Sequence, residues 1–125
     1  ETLRAHFGEH DFFYLHYKPA DAAGEDGDFD AKVEALEQLD AFIPELLNLN
    51  PDVFVVAGDH ATPAIVANHS WHPVPLLINS EYTPGEGVEA FHERAFAQGS
   101  LGRISATHVM LLALAHAGKL VKFGP

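Results

Sequence analysis

The sequence predicts an α/β fold built on a mainly parallel sheet. Val53-Phe54-Val55-Val56-Ala57 is a continuous apolar run without alternation, as in strands covered on both faces. Val33, Leu36, Leu39, Ile43 and Leu46/Leu47 recur every three to four residues, which is the spacing of one helix face. Periodic segments follow in the order helix, strand, helix, strand, strand, helix, and that alternation belongs to the layered α/β class.

Glu1 to Phe7 reads as the last turns of a helix closing at Gly8. A chain that opens inside a helix is expected to be a portion of a longer protein. Asp11 to Tyr17 (DFFYLHY) is an aromatic, strand-like run bounded by Lys18-Pro19. Ala20 to Asp28 holds two Gly and four acids and is expected to be a loop. The long helix starts near Asp30, with Asp28 or Asp30 as its cap and Pro44 as a kink. The second strand, Val53 to Ala57, stops at Gly58-Asp59-His60. A third strand spans Pro73 to Ile78, with Pro at its start. Tyr82 to Gly87 is expected to be a loop, Val88 to Gln98 a helix, and Ile104 to Ala117 a helix capped by Ser105 and ended by Gly118.

Composition removes several classes of function. A hydrophobic share of 47% with nine Phe is ample for a packed core and excludes global disorder. No apolar run approaches the roughly 20 residues that cross a bilayer, so no membrane association is expected. The absence of Cys excludes disulfides and thiolate metal sites and fits a reducing cytoplasm. Eighteen acids against seven cations give a net charge of −11, a surface that repels nucleic-acid phosphates. No G-x-S-x-G elbow, P-loop or Rossmann fingerprint occurs. Nine His without Cys leave imidazole and carboxylate as the natural ligands for a divalent cation.

Sites in open α/β sheets form on loops beyond the carboxyl ends of strands. The first predicted strand runs into Lys18, Asp21 and Glu25, and the second into Asp59 and His60; His69 and His72 precede the third. Neighbouring parallel strands would bring these loops together, with oxygen and nitrogen donors suited to Mn²⁺, Zn²⁺ or Mg²⁺. Plainer readings stand beside this one. Asp21 and Glu25 fit an ordinary acidic loop, Asp59 a helix cap, His60 a donor to a carbonyl, and His69 polar filler. His16 is expected in the core, His108 and His116 in packing or capping, and His6, His10 and His92 at the surface.

The motifs resemble those of a known family. Phe13 to Asp28, with Lys18, Asp21, Gly24, Asp26 and Gly27 in register, resembles the K-x-x-D-x-x-G-H-D-G metal loop of archaeal-type cofactor-independent phosphoglycerate mutases. These enzymes belong to the alkaline phosphatase superfamily. Gly58-Asp59-His60-Ala61-Thr62-Pro63 resembles the family's D-H-S-T-P segment. His69-Ser70-Trp71-His72-Pro73-Val74-Pro75 resembles its G-H-S-x-x-P-V-P segment, and Ala115 to Gly124 its C-terminus.

The resemblance implies a three-layer α/β/α alkaline-phosphatase-like core, with residues 1–125 as its C-terminal metal-binding portion and the nucleophile region and cap domain outside. It implies two divalent ions. Asp21, Glu25 and His69 would hold one; Asp59 and His60 would hold the other, with an Asp and a nucleophilic Ser from the N-terminal region. Lys18 would stabilise charge on the transferring phosphoryl group. In the family the Ser takes the phosphate of a phosphoglycerate, and after reorientation the other hydroxyl recovers it. The implied activity is interconversion of 3- and 2-phosphoglycerate, a step of glycolysis, by a cytoplasmic full-length enzyme, with the 125-residue chain inactive alone. Glu25 stands where the family carries His; it adds a negative charge and favours Mg²⁺ or Mn²⁺. Two other readings are another phosphohydrolase or phosphonopyruvate decarboxylase-related member of the superfamily, and a non-catalytic metal-binding module that forms homodimers through a sheet edge.

Overall fold

A computed structural model describes residues 1–85 and 88–120, and within it the chain forms two units. One comprises Glu1–Asn50 with Thr62–Ser70; the other comprises Pro51–Ala61 with Trp71–Pro125. Part of the loop expected over Tyr82–Gly87, and the end of the C-terminal motif, lie outside the described residues.

The first unit contains α1 (Thr2–His6), α2 (Pro19–Glu25) and α3 (Phe29–Leu47). Helix α2 corrects the expectation of a loop over Ala20–Asp28. Pro19 sits at the first helical position, where its fixed φ costs nothing, and Ala20, Ala22 and Ala23 are strong helix formers. The acids and Gly that read as loop are used otherwise: Gly24 is buried, and Gly27 turns the chain at φ +72. Asp28 then caps α3, accepting from the Ala31 N–H at 2.9 Å. Helix α3 runs through Pro44, which falls in its last turn. Its most buried apolar residue is Ala35, and α2 packs against this helix. Leu39, Ile43 and Leu46 are half-buried, whereas Val33, Leu36 and Leu47 of the predicted stripe are exposed.

Residues 11–17 do not form the expected first strand. A strand needs a ladder partner, and no strand pairs with this segment among the described residues. It is held instead by Phe13 stacked on Phe7, with ring centroids 5.4 Å apart, and by Tyr17, whose hydroxyl donates to the Ala35 carbonyl at 2.9 Å. His16, expected in the core, is exposed for the same reason.

The second unit contains β1 (Val53–Ala57), β2 (Leu76–Ser80), α4 (Glu93–Phe96) and α5 (Val109–His116), the last preceded by a 3₁₀ turn at Ala106–His108. The two strands pair antiparallel, with Val53 opposite Ser80 and Ala57 opposite Leu76, where parallel pairing was expected. Parallel neighbours need a crossover, usually a helix. The Gly58–Pro75 connection forms none, and β2 returns alongside β1, with the Gly58 N–H donating to the Pro75 carbonyl at 3.2 Å. The strand expected at Pro73 begins three residues later. Strand β1 packs against α5, and its first four residues are half-buried rather than enclosed on both faces. The helix expected over Val88–Gln98 shrinks to α4, capped by the His92 ring accepting from the Ala95 N–H at 3.1 Å. Ser105 makes no backbone cap; its hydroxyl meets that of Thr107 at 2.9 Å.

Candidate metal centre

Helix α2 explains why Lys18, Asp21 and Glu25 belong together. Residues three and four apart share a helix face, so the N-cap Lys18, Asp21 in the first turn and Glu25 in the last form one row. Lys18 Nζ lies 2.8 Å from Asp21 Oδ2. Two carboxylates four apart on a helix repel each other, and a cationic partner offsets that cost.

The segment Thr62–Ser70 lies against this face. Thr62 is 5% exposed, and its hydroxyl donates to Asp21 Oδ1 at 2.6 Å. Its carbonyl accepts from Lys32 Nζ at 2.8 Å, and the same ammonium donates to the Ala20 carbonyl of α2 at 2.9 Å. A Cβ on Gly24 would collide with the Thr62 carbonyl oxygen and stand 2.9 Å from Lys32 Nζ, so only Gly permits this approach. Beyond Thr62, Pro63 to Ala67 form a turn that ends with Ala67 in the left-handed region at φ +49. Asn68 Oδ1 then accepts from the His69 N–H at 2.8 Å. The turn delivers His69 Nε2 to 3.6 Å from Asp21 Oδ1 and 3.3 Å from Glu25 Oε1.

Three of the predicted ligands, Asp21, Glu25 and His69, are therefore brought together, with Lys18 beside them. They are assembled by a helix face and an overlying turn, not by loops at the ends of neighbouring parallel strands. The Asp21 side chain is 16% exposed, while those of Glu25 and His69 are about half exposed, which leaves the cluster open to an entering ion. Two carboxylates and one imidazole form a donor set of oxygen and nitrogen without sulfur, which fits a divalent cation such as Mn²⁺, Zn²⁺ or Mg²⁺.

Asp59 and His60 belong to the second unit. Asp59 Oδ1 accepts from the His60 N–H at 2.9 Å, and Oδ2 lies 3.4 Å from His60 Nε2, so the two side chains turn toward one another. His72 stacks on the exposed Trp71, with ring centroids 5.0 Å apart. His116 Nδ1 meets the Ser80 hydroxyl at 2.8 Å, tying α5 to the end of β2.

Sequence reasoning missed Thr62, Lys32 and Gly24. Thr62 and Gly24 lie inside the motifs quoted above, and their place in those motifs was the available signal. Lys32 had none, because a lysine on a helix is ordinarily solvated.

The Metalloenzyme superfamily model matches residues 1–116. The chain belongs to the Metalloenzyme superfamily. Among its curated relatives, a probable 2,3-bisphosphoglycerate-independent phosphoglycerate mutase of Thermotoga petrophila is 55% identical over 124 residues, covering 99% of this chain and 31% of that protein. A protein of the same name from Thermus thermophilus is 50% identical, with 99% and 30% covered. This metalloenzyme chain thus spans about a third of the length of those relatives. In structure it is similar to the PH0037 protein of Pyrococcus horikoshii, with a TM-score of 0.92 and 35% identity over 99% of this chain and 38% of that one. The α/β metalloenzyme fold expected from the motifs is therefore the one observed. Among the described residues no helix is long and apolar enough to cross a membrane.

Proposed function

We propose that this chain is the metal-binding portion of a cofactor-independent phosphoglycerate mutase that interconverts 3- and 2-phosphoglycerate. The observation that carries the reading is His69 Nε2 lying within 3.6 Å of carboxylate oxygens from both Asp21 and Glu25. The similarity to probable phosphoglycerate mutases supports a phosphoglycerate as the substrate.

Asp21, Glu25 and His69 would hold one divalent ion. Asp59 and His60, whose side chains already face each other, would supply two ligands to a second. When bound, such ions neutralise phosphoryl oxygens and lower the pKa of an attacking hydroxyl. Glu25 adds a second carboxylate to the first set and biases it toward Mg²⁺ or Mn²⁺ over Zn²⁺. Lys18, at the N-terminus of α2 and 63% exposed, keeps its ammonium 2.8 Å from Asp21 Oδ2 and open to solvent, where it would stabilise charge on a phosphoryl oxygen. The serine that accepts the phosphate belongs, in this reading, to the remainder of the longer protein, so residues 1–125 alone bind metal without turning over substrate.

The test is an assay of the intact protein with 3-phosphoglycerate and Mn²⁺. Formation of 2-phosphoglycerate without release of inorganic phosphate supports the mutase. Stoichiometric phosphate release in place of isomerisation would replace it with a phosphohydrolase of the same superfamily.

A further inference from the structure

Asp21 is unlike the other two proposed ligands in being enclosed, its side chain 16% exposed where theirs are about half exposed. Asp21 Oδ1 accepts from the Thr62 hydroxyl at 2.6 Å and Oδ2 pairs with Lys18. A carboxylate oxygen carries two lone pairs. A hydroxyl donating to one of them fixes the rotation of the group, whose Oδ1 lies 3.6 Å from His69 Nε2. Thr62 can do this only if its backbone stays against α2. The residues that keep it there are Lys32, whose ammonium joins the Thr62 carbonyl to the Ala20 carbonyl, and Gly24, whose missing side chain admits the contact. The partners of Lys32 among the described residues are these two carbonyls, so its charge is spent on joining backbone segments rather than on an acid. One joined carbonyl belongs to the residue before Asp21 and the other to the residue that hydrogen-bonds it.

We propose that Thr62 and Lys32 are positioning residues of the metal centre: Lys32 clamps Thr62 onto α2, and the Thr62 hydroxyl presets the Asp21 carboxylate for the ion. The inference rests on Asp21, Glu25 and His69 being metal ligands and adds the support that makes Asp21 a good one. Hydrogen-bond partners of ligating groups commonly govern affinity by about 10–100-fold. Thr62 acts through one direct bond and Lys32 through two, one step further from the ion. The larger effect is therefore assigned to Thr62.

The experiment measures Mn²⁺ binding to the intact protein by the electron paramagnetic resonance signal of free Mn²⁺, with urea unfolding of each variant alongside. Thr62→Val keeps the shape and removes the hydroxyl, and is expected to weaken the Asp21 site about 10–100-fold. Thr62→Ser keeps the hydroxyl and is expected to restore affinity. Lys32→Met keeps the stem and removes both bonds, and is expected to lower affinity by up to about tenfold, with Lys32→Arg recovering part of it. A purely structural role would shift the unfolding midpoint and leave affinity in the folded protein unchanged. Should Lys32→Met fail to fold, the Thr62→Val and Thr62→Ser pair still decides. Asp21→Ala separates the two levels of the argument. Unchanged binding in Asp21→Ala overturns the metal reading itself. Loss of binding in Asp21→Ala with wild-type affinity in Thr62→Val overturns this inference alone.

Discussion

Replacing Gly24 by Ala tests, by the sign of its effect, whether the Thr62–Ser70 segment lies on α2. In a solvent-exposed helix interior this change stabilises by about 1 kcal/mol, because Gly forfeits more backbone entropy on folding. Here the new methyl would meet the Thr62 carbonyl oxygen, Thr62 Cγ2 at 3.1 Å and Lys32 Nζ at 2.9 Å. The lysine end can move, but the carbonyl is backbone, held by the Lys32 bond on one side and by the Thr62 hydroxyl bond to Asp21 on the other. Overpacking of this kind costs about 1–3 kcal/mol, which outweighs the helix gain and leaves a net loss of about 1 kcal/mol. With a urea slope of about 2 kcal/mol per molar, the midpoint should fall by about 0.5 M at unchanged slope. Equilibrium urea unfolding of the intact protein, followed by circular dichroism, provides the measurement. A midpoint raised by the amount normal for an exposed helical glycine would refute the packing of Thr62 on α2, and with it the account of how Asp21 is placed.

Asp28→Ala removes the acceptor for the Ala31 N–H and is expected to cost about 1 kcal/mol in the same unfolding assay; an unchanged midpoint would show that α3 does not rely on this cap. Glu25→His exchanges a carboxylate for an imidazole and removes one negative charge from the cluster. Competitive metal titration should then move preference from Mg²⁺ and Mn²⁺ toward Zn²⁺, and an unaltered order would remove Glu25 from the ligand set. His16→Ala, at an exposed position, is expected to change stability by less than about 0.5 kcal/mol; a larger loss would return His16 to the core.

Legibility in the sequence followed how local the determining physics was. Helix α3 was readable because its apolar spacing and Asp28 cap are local signals, and β1 because five apolar residues between turn formers have few other uses. The segment at 11–17 carries a strand's composition, yet strand formation depends on a neighbour that its own residues cannot specify. Helix α2 was obscured by Gly24, Gly27 and four acids, which weigh toward loop until the contacts that bury Gly24 are known; Pro19 and three alanines were the quieter signal. That Asp21, Glu25 and His69 come together was legible from motif spacing, while the means of their assembly was not. Convergence was expected from parallel strands, and it comes from the i, i+4 row of α2 beneath a turn held by Thr62. Lys32 is thirty residues from Thr62, and no periodicity links them.

The central claim is that Asp21, Glu25 and His69 share one divalent ion. The most direct measurement is a crystal structure of the intact protein grown with Mn²⁺, with the ion located by anomalous scattering at its absorption edge. The account predicts a peak within about 2.3 Å of Asp21 Oδ1, a Glu25 carboxylate oxygen and His69 Nε2, with the Thr62 hydroxyl still on Asp21. A fully occupied Mn²⁺ bound elsewhere, with His69 turned away from both carboxylates, would contradict it.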